Sequence, residues 1–555
     1  MSVRNAIALF LALSSFAFLA GCGSSGNNIV IGQAPPSGAF SDSNLKGTYV
    51  FSVSGTDLVS QGAYVATGTI IANGSGGITG GTLDMNDTAF SGAVIAAPIN
   101  SNGNYNVGKD GRGSFTINLP SADNPFGQPL TFDFVLQNSF QGLVTEFDGN
   151  ATGSGTLDLQ TASTTPAGSY AFSLSGSTYA LSTFATVGNF TLTGSSISAG
   201  LEDFNSAGAA FTNGSAGYPL SGTVVAGGSA SSLSTLSTSS SFGTSGSLSF
   251  DVYPIDSTHL KFIEVDSYAT LSGDAFTEAA TVPSGNLVFT LSGLVPGGTP
   301  FAAGGLMVTS GGSIGTGSTE DYNDGGSEVS TPGSPLPYSG SYSGANGRFA
   351  VSLSGFFPAT ISAFVAYPSS GGMFLLETDG TGGTTTGAAY AQNSSASFAP
   401  ANGYGLNFTG VGGSGEVDDI DEFTAAASGS SCIESTSSGN TTVTSNTIIG
   451  VVDENSLSNG PTLGQSLCGS YGSIDTSGRL SISYSANTVL GGLTGTAYTV
   501  DGTTFPFIEV DSGQVSTGLF VLQDATATSP SLAKPHSMFV PHPIVQPRAA
   551  KQKQK

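Results

Sequence analysis

The sequence predicts an all-β chain built from four tandem antiparallel modules, each an eight-stranded meander. The run Phe-Ile-Glu-Val-Asp-Ser at residues 262–267 returns letter for letter at 507–512, and looser copies stand at 144–148 and 374–379. The Glu residues of these copies are 118, 113 and 132 positions apart. Glycine accounts for 81 of 555 residues and there is no Trp, which fits short strands joined by tight turns. An internal repeat of this length indicates a modular architecture.

The first module shows its strands most clearly. Its opening run, residues 47–55, places Tyr49, Phe51 and Val53 on one face, which is the two-residue period of a strand. Asn73-Gly74, a turn pair, separates the next two runs. No run has a convincing helical pattern. The later strands are predicted at 62–72, 76–84, 93–99, 103–107, 113–119, 130–137, 142–147 and 155–159.

The same order recurs along the chain. Similar openings stand at 168–176 and 285–293, and a less regular one at 403–410. The predicted modules are therefore 44–163, 164–281, 282–393 and 394–525. About 115 residues each is enough for one modest core. Eight consecutive strands close into a small barrel or fold as a two-sheet sandwich, and we favour the barrel.

The N-terminus has the features of an export signal. Residues 1–21 contain Arg4 and an apolar run of about 15 residues, too short for a membrane span. The four residues 19–22, Leu-Ala-Gly-Cys, resemble the lipobox of bacterial lipoproteins. That resemblance implies cleavage before Cys22, lipidation of Cys22, and anchoring in the cell envelope, with the outer membrane or cell surface favoured. Residues 22–43 are then a flexible tether.

With the module openings and the Asp-Gly-Arg-Gly turn at 110–113, the lipobox resembles a family of uncharacterised Gly/Ser-rich, repeat-bearing bacterial lipoproteins. The resemblance covers most of the chain and implies no particular activity. The Gly-x-Tyr openings also resemble the first strand of lipocalin-like barrels, over three residues only.

Charge is distributed very unevenly. Between Cys22 and Pro530 lie all 37 acidic residues and only six basic ones, so the body should repel nucleic acid. The tail, 526–555, is Pro-rich and carries five basic residues and no acid. We predict that it is disordered; a membrane-surface or partner-binding role is the alternative.

Cys432 and Cys468 are the cysteines that remain after Cys22. In an exported chain such a pair is expected to form a disulfide bond. A metal site would need more ligands nearby, and the three histidines are scattered.

An acidic motif with a spacing of two residues recurs once per module. Carboxylate and amide oxygens in this pattern suit calcium, but Asp and Asn also close turns by accepting hydrogen bonds from backbone N–H groups. We favour the turn, and expect no cofactor unless calcium binds. The residues are Asp84 and Asn86, Asp203 and Asn205, Asp321 and Asn323, and Asp419 and Asp421.

A Gly-Arg turn precedes the recurrent Glu in three modules. A carboxylate flanked by apolar residues needs a partner when buried. We therefore predict structural pairs inside modules, with Lys261 as the substitute for Glu264 because Ser247 stands where Arg is expected. The predicted pairs are Arg112 with Glu146, Arg348 with Glu377, and Arg479 with Glu509.

These patterns favour a non-enzymatic, lipid-anchored envelope protein with a structural or adhesion-like binding role. A glycan or an envelope protein would be the partner, besides the membrane itself. The alternative is a carbohydrate-active enzyme that uses Glu264 and Asp266, which share a strand face, as a glycosidase-like pair.

Overall fold

The computed structural model describes residues 35–90, 92–162, 164–214, 216–226, 234–238, 248–330, 333–399, 402–436, 439–486 and 492–530. The signal peptide, Cys22, residues 22–34 of the tether, Ser247 and the tail from 531 onward lie outside these ranges. Secondary structure in the described ranges is β-strand, apart from one 3-10 helix at Asp42–Asn44. Within them, no helix has the length and hydropathy of a membrane span.

The first module is a closed eight-stranded antiparallel barrel, barrel 1. Around it the strands run β1, β2, β3, β5, β6, β7, β8, β9 and back to β1, while β4 pairs with β3. The bounds are β1 (Lys46–Asp57), β2 (Ala63–Asn73), β3 (Gly77–Asp87), β4 (Val94–Pro98), β5 (Gly103–Val107), β6 (Arg112–Ile117), β7 (Leu130–Leu136), β8 (Gln141–Phe147) and β9 (Ala151–Leu159).

Barrel 2 closes in the same way. Its order is β10, β11, β12, β15, β16, β17, β18, β19 and back to β10, and β13 and β14 pair with β12. The bounds are β10 (Gly168–Thr178), β11 (Thr183–Thr193), β12 (Ser196–Ser206), β13 (Ala209–Phe211), β14 (Tyr218–Pro219), β15 (Gly222–Ala226), β16 (Ser234–Thr238), β17 (Ser249–Pro254), β18 (His259–Glu264) and β19 (Ala269–Thr277).

Barrel 3 has an interrupted third strand, of which β22 and β23 both pair with β21. The barrel closes as β20, β21, β22, β26, β27, β28, β29, β30 and back to β20. The bounds are β20 (Gly285–Val295), β21 (Thr299–Ser310), β22 (Ser313–Ile314), β23 (Thr319–Asp324), β24 (Glu328–Val329), β25 (Leu336–Pro337), β26 (Ser339–Ala345), β27 (Arg348–Ser354), β28 (Ala363–Ser369), β29 (Gly372–Glu377) and β30 (Thr384–Ala391).

Barrel 4 is closed as well, in the order β31, β32, β35, β36, β37, β38, β39, β40. A hairpin, β33–β34, is inserted between its second and third strands, and the disulfide between Cys432 and Cys468 ties this hairpin to β36. The bounds are β31 (Gly403–Gly412), β32 (Gly415–Ala426), β33 (Cys432–Thr436), β34 (Gly439–Val443), β35 (Thr447–Ser456), β36 (Gly460–Tyr471), β37 (Arg479–Ala486), β38 (Gly492–Tyr498), β39 (Thr504–Glu509) and β40 (Gln514–Leu522).

Each barrel is filled by its own apolar core. Tyr49, Phe51 and Val53 point inward as their period-two spacing predicts, and the other openings behave in the same way. The modules are therefore barrels and not two-sheet sandwiches. Closure removes the exposed sheet edges that an open meander would leave.

The outward faces carry separate apolar clusters where neighbouring barrels meet. Val50 and Val65 of barrel 1 pack against Ile263 of barrel 2. A larger cluster joins barrels 2, 3 and 4, and a fourth contact joins Ile420 of barrel 4 to Val135 of barrel 1. Because barrel 4 contacts barrel 1, the four barrels form a closed ring.

Candidate functional site

The recurrent polar residues meet at the four contacts between successive barrels. We call these contacts joint 1–2, joint 2–3, joint 3–4 and joint 4–1. In each of them the third barrel strand, which carries the Asp-x-Asn motif, faces the seventh strand of the following barrel. The joints share one pattern of hydrogen bonds.

An Asn side chain of one barrel is held by backbone carbonyl groups of the next. The acceptors belong to the turn that follows the recurrent Glu, and the N···O distances are 2.8–3.4 Å. Each amide therefore recognises one turn conformation of its neighbour. The acceptors are Glu264, Asp266 and Ala269 for Asn86; Glu377 and Gly383 for Asn205; Glu509, Asp511 and Gln514 for Asn323; and Glu146, Asp148 and Ala151 for Asn455.

At three of the four joints, the Asp of the same motif binds an Arg of the next barrel. At joint 2–3, Asp203 accepts two hydrogen bonds from Arg348, at 2.6 and 2.7 Å. At joint 3–4, Asp321 accepts two from Arg479, at 2.6 and 2.9 Å. Burial lowers the pKa of both guanidinium groups, but the hydrogen bonds and charge of the carboxylates outweigh it and raise each pKa. Two parallel hydrogen bonds of this kind stabilise the contact and also fix the orientation of the guanidinium group relative to the carboxylate.

Joint 4–1 uses Arg112 of barrel 1. Its Nη1 donates to Asp453 at 2.7 Å and its Nε donates to Asp110 at 3.2 Å. The preceding Gly111 has φ 83°, the left-handed region that glycine tolerates, and Gly347 and Gly478 before the other two Arg residues have φ 73° and 81°. The Gly-Arg pairs are thus turns that aim an Arg across a joint.

A buried Tyr completes the Asp environment at three joints. Tyr367 donates to Asp203 at 2.6 Å and Tyr498 donates to Asp321 at 2.5 Å. At joint 1–2, Tyr253 donates to Asp84, which also accepts from the backbone N–H of Ala96. Asp84 therefore has a Tyr where Asp203 and Asp321 have both a Tyr and an Arg.

A Gln residue that directly follows the last strand of three barrels also contacts the next barrel, and the sequence patterns above do not identify it. The Gln523 side chain donates to the carbonyl groups of Asp110 and Leu136, and Gln392 donates to those of Ser477 and Thr499. Gln160 likewise donates to Pro254 across joint 1–2. The signal was present, because Gln stands one residue after β9, β30 and β40.

The recurrent Glu lies inside each barrel and does not bind the predicted Arg. Glu146, Glu264, Glu377 and Glu509 are at most 2% exposed. Burial raises the pKa of Glu377 to about 8, and raises the pKa of the other three well above the ordinary value. The predicted pairs of Arg112 with Glu146, Arg348 with Glu377, and Arg479 with Glu509 are wrong, because each Arg points outward to another barrel while each Glu points inward.

The Asp that follows this Glu by two residues fixes the turn. One oxygen of Asp266 accepts from the backbone N–H of Ser249 at 2.7 Å, and the other accepts from that of Tyr268 at 2.8 Å. Asp148, Asp379 and Asp511 make the same two contacts. In all four barrels the first contact spans 17 residues. The hexapeptide thus forms the turn that the Asn of the preceding barrel recognises.

The geometry also bears on the calcium and turn hypotheses for Asp-x-Asn. Asp203 and Asp321 bind Arg, and the amide nitrogens of Asn86, Asn205 and Asn323 donate to carbonyl groups of the next barrel. The Oδ1 atoms of Asn205 and Asn323 also accept from the backbone N–H groups of Gly208 and Gly326, three residues on, so these two Asn residues close local turns as predicted. No group of three or more His, Cys, Asp or Glu side chains in the described ranges has a metal-binding arrangement.

In the fourth module, the predicted motif residues Asp419 and Asp421 do not lie at a joint. Asp419 and Asp421 lie opposite Phe408 and Leu406 on the inward face of barrel 4, near Glu454. The joint residues are Asp453 and Asn455, on β35.

Lys261 does not bind Glu264 either. Its Nζ lies 2.9 Å from Asp274, 3.4 Å from Asp158 of barrel 1 and 2.6 Å from the Thr156 hydroxyl. His259 also contacts Asp274, at 2.6 Å. This network borders a cavity of about 50 Å³ between barrels 1 and 2, which is lined mainly by Ser and Thr side chains. A space of that size holds a few water molecules.

Glu264 and Asp266 do not line a cleft. Glu264 is inside barrel 2, where its carboxyl group accepts from the backbone N–H of Ala269, and Asp266 is occupied by the two turn contacts. A glycosidase pair needs both carboxyl groups to flank the scissile bond. The site that the repeat builds is therefore a contact between barrels.

Comparison with protein-family models and with curated proteins finds no match. Among solved structures, the chain is similar to transferrin-binding protein B (TbpB). For a double mutant from Haemophilus parasuis Hp5, the identity is 9% and the TM-score 0.17, covering 71% of this chain and 85% of that one. For the isotype 1 protein from serogroup B Neisseria meningitidis, the identity is 8% and the TM-score 0.18, and the match covers 71% of this chain and 82% of that one. For intact Ap-TbpB with its N and C lobes, the identity is 9% and the TM-score 0.17, and the match covers 86% of this chain and 95% of that one. The fold described above depends on the strand pairings of this chain alone.

Proposed function

We propose that the chain is a lipid-anchored cell-envelope protein whose ring of four barrels is a non-enzymatic scaffold for binding. One observation carries the proposal: the Asp, Asn and Arg residues that recur along the chain join one barrel to the next, and the recurrent Glu is buried inside each barrel. Asp321 of barrel 3 binds Arg479 of barrel 4, and the Asn323 amide donates to backbone carbonyl groups of barrel 4. A repeat selected for such contacts produces a rigid body of defined shape.

The positions of the chain ends support attachment at one place. The Asn44 side chain donates to the carbonyl group of Ala525, and the backbone N–H of Ala525 donates to the Ser37 hydroxyl. The tether from Cys22 and the basic tail thus join the ring side by side, at joint 4–1. A lipid at Cys22 would hold that side of the ring toward the membrane, and basic residues near it would favour anionic headgroups.

Binding surfaces would then lie on loops away from the chain ends. Ile433, on the disulfide-tied hairpin that only barrel 4 carries among the described strands, is 62% exposed. An exposed apolar side chain on a tied hairpin loses little conformational freedom when a partner covers it. This hairpin is the first place where we would look for a contact with a glycan or an envelope protein.

Two experiments test the proposal separately. Radiolabelled palmitate should label the wild type and not Cys22→Ala. Equal labelling of the two would contradict lipidation at Cys22. The exported chain is then screened on a glycan array and against purified envelope fractions, beside Ile433→Ser and the matched control Val59→Ser, which alters an exposed loop of barrel 1. Saturable binding weakened by the first variant alone supports the scaffold, whereas turnover of a glycan would contradict it.

A further inference from the structure

The two joints made by barrel 1 contain carboxyl groups that the other two joints lack. On the sixth strand of barrels 3 and 4, the residue two positions before the joint Tyr is Val365 or Thr496. The corresponding residues of barrels 2 and 1 are Asp251 and Asp133. Besides burial, the charge of Asp251 raises the pKa of Asp84 across joint 1–2, and the charge of Asp453 raises the pKa of Asp133 across joint 4–1. An acid therefore faces an acid on both sides of barrel 1.

Joint 4–1 has too little positive charge for its acids. Arg112 is bound to Asp110 and Asp453. Asp133 and Glu422 stand beside these groups at 1% and 0% exposure, and neither oxygen of either side chain has a hydrogen-bond partner among the described residues. Asp421 adds a further carboxyl group from the inside of barrel 4. Elsewhere in this joint Glu416 and Asp418 of barrel 4 accept from the Thr56 and Thr152 hydroxyl groups of barrel 1, and burial raises the pKa of both carboxyl groups. The single guanidinium group of Arg112 cannot compensate the charges of all these buried carboxylates.

Joint 1–2 has no Arg in the described ranges. Asp84 accepts from Tyr253 and from the backbone of Ala96, and Asp251 is within side-chain hydrogen-bonding reach of it. Lys261, Asp158, Asp274 and His259, which also lie at this contact, are bound to one another. Two adjacent buried carboxyl groups share a proton more readily than they both ionise.

We propose that barrel 1 is held in the ring by protons: its joints to barrels 2 and 4 close when the facing carboxyl groups are protonated and loosen when they ionise. The lipid-tethered barrel would thus be released from the other three as the surroundings become less acidic. Joints 2–3 and 3–4, which rely on Asp203 with Arg348 and Asp321 with Arg479, would stay closed.

The direction of the pH dependence follows from burial. Burial, with the charge of Asp251 second, raises the pKa of Asp84 to about 7, and burial beside Asp110 raises the pKa of Glu422 to about 9. Burial and Asp453 raise the pKa of Asp133 well above its ordinary value. Each pKa is higher in the closed joint than in the open one, so closure is fully stable below about pH 4 and weakens as the pH rises through about 7 and about 9.

Distances between spin labels test this in the full exported chain carrying Cys22→Ser. One pair is placed at exposed Asn102 and Ser458, in barrels 1 and 4, and a control pair at exposed Ser195 and Ser370, in barrels 2 and 3. From about pH 5 to about pH 8 the first distance should lengthen and broaden, and the control should not change. Far-UV circular dichroism verifies that the barrels remain folded.

Charge-neutral variants make the test specific. The triple variant Asp84→Asn, Asp133→Asn and Glu422→Gln should open less between the two pH values than the wild type, because fewer carboxyl groups ionise in its joints, while Glu377→Gln, inside barrel 3, should open as the wild type does. A first distance that does not change with pH, or that changes together with the control, would overturn the proposal. So would a triple variant that opens like the wild type, or closure restored at high pH by calcium or magnesium, which would assign these carboxylates to a metal.

Discussion

The Arg479 guanidinium group of barrel 4 binds Asp321 of barrel 3 through two parallel hydrogen bonds, Nε to Oδ2 at 2.6 Å and Nη2 to Oδ1 at 2.9 Å. The two residues are 158 positions apart, and both are at most 6% exposed. The same contact recurs between Arg348 and Asp203. Such contacts turn a string of barrels into one body.

Removing one partner of this contact should destabilise joint 3–4 strongly. We expect Arg479→Ala to cost about 3–5 kcal/mol in the free energy of unfolding, because it leaves Asp321 charged and buried. Chemical unfolding measures the cost. The control Lys109→Ala, at an exposed position, should change it by less than about 0.5 kcal/mol. A double-mutant cycle with Asp321→Asn that returns no coupling energy would refute the contact.

At neutral pH, Asn323→Asp should destabilise the protein more than Asn323→Ala does. Asn323→Ala loses three hydrogen bonds to carbonyl groups, at about 1 kcal/mol each. Asn323→Asp places a carboxylate against the same carbonyl oxygens, so it should cost more at neutral pH and recover in acid, where a protonated carboxyl group can donate. Thermal melting at both pH values measures this. Asn102→Asp, on the surface, is the control; an Asn323→Asp variant that melts like the wild type at neutral pH would contradict the assigned contacts.

Glu377 should weaken the fold as the pH rises. Its pKa is about 8 in the folded chain against about 4.5 for the free side chain, so its stability contribution is complete in acid and is lost between those values. Glu377→Gln should therefore match the wild type near pH 4 and exceed it above pH 8, by on the order of 4 kcal/mol. Unfolding midpoints at both pH values decide the matter: equal differences at both would place Glu377 outside the barrel interior.

Calcium should not stabilise the protein through the Asp-x-Asn motif. Asp203 and Asp321 already hold Arg, and the amide nitrogens of Asn205 and Asn323 face carbonyl oxygens. Melting midpoints with calcium, and with a chelator instead, are expected to coincide. An increase with calcium that Asp321→Asn abolishes would contradict this.

Much of the fold could be predicted from the sequence, because period-two runs and a repeated opening reflect contacts within one module. The alternation around Tyr49 and Phe51 predicts the interior face correctly. The first module has nine strands, which correspond to the opening run and the eight later runs that the sequence predicts. The closure into barrels agrees with the favoured alternative.

The contacts between barrels could not be predicted in this way. Counting one Arg and one Glu in a module suggests that they bind each other, since the sequence gives no indication that the ring places Arg112 beside Asp453, 341 residues away. The hairpin β33–β34 lengthens the distance from the fourth opening to its Asp-x-Asn motif. The motif nearer to the opening, at Asp419, is therefore the one that the sequence pattern favours, although Asp453 occupies the joint.

The ring closes only if barrel 4 docks onto barrel 1, and a cysteine pair tests this most directly. Thr152 of barrel 1 donates to Asp418 of barrel 4 at 2.6 Å, across 266 residues. In acid-purified chain carrying Thr152→Cys and Asp418→Cys, mild oxidation should form an intramolecular disulfide bond, visible as a mobility shift that reduction reverses. Thr183→Cys with Thr384→Cys, across joint 2–3, is the positive control, since those hydroxyl groups are 3.1 Å apart. Free thiols at 152 and 418, with the control pair oxidised, would show that the barrels form an open string.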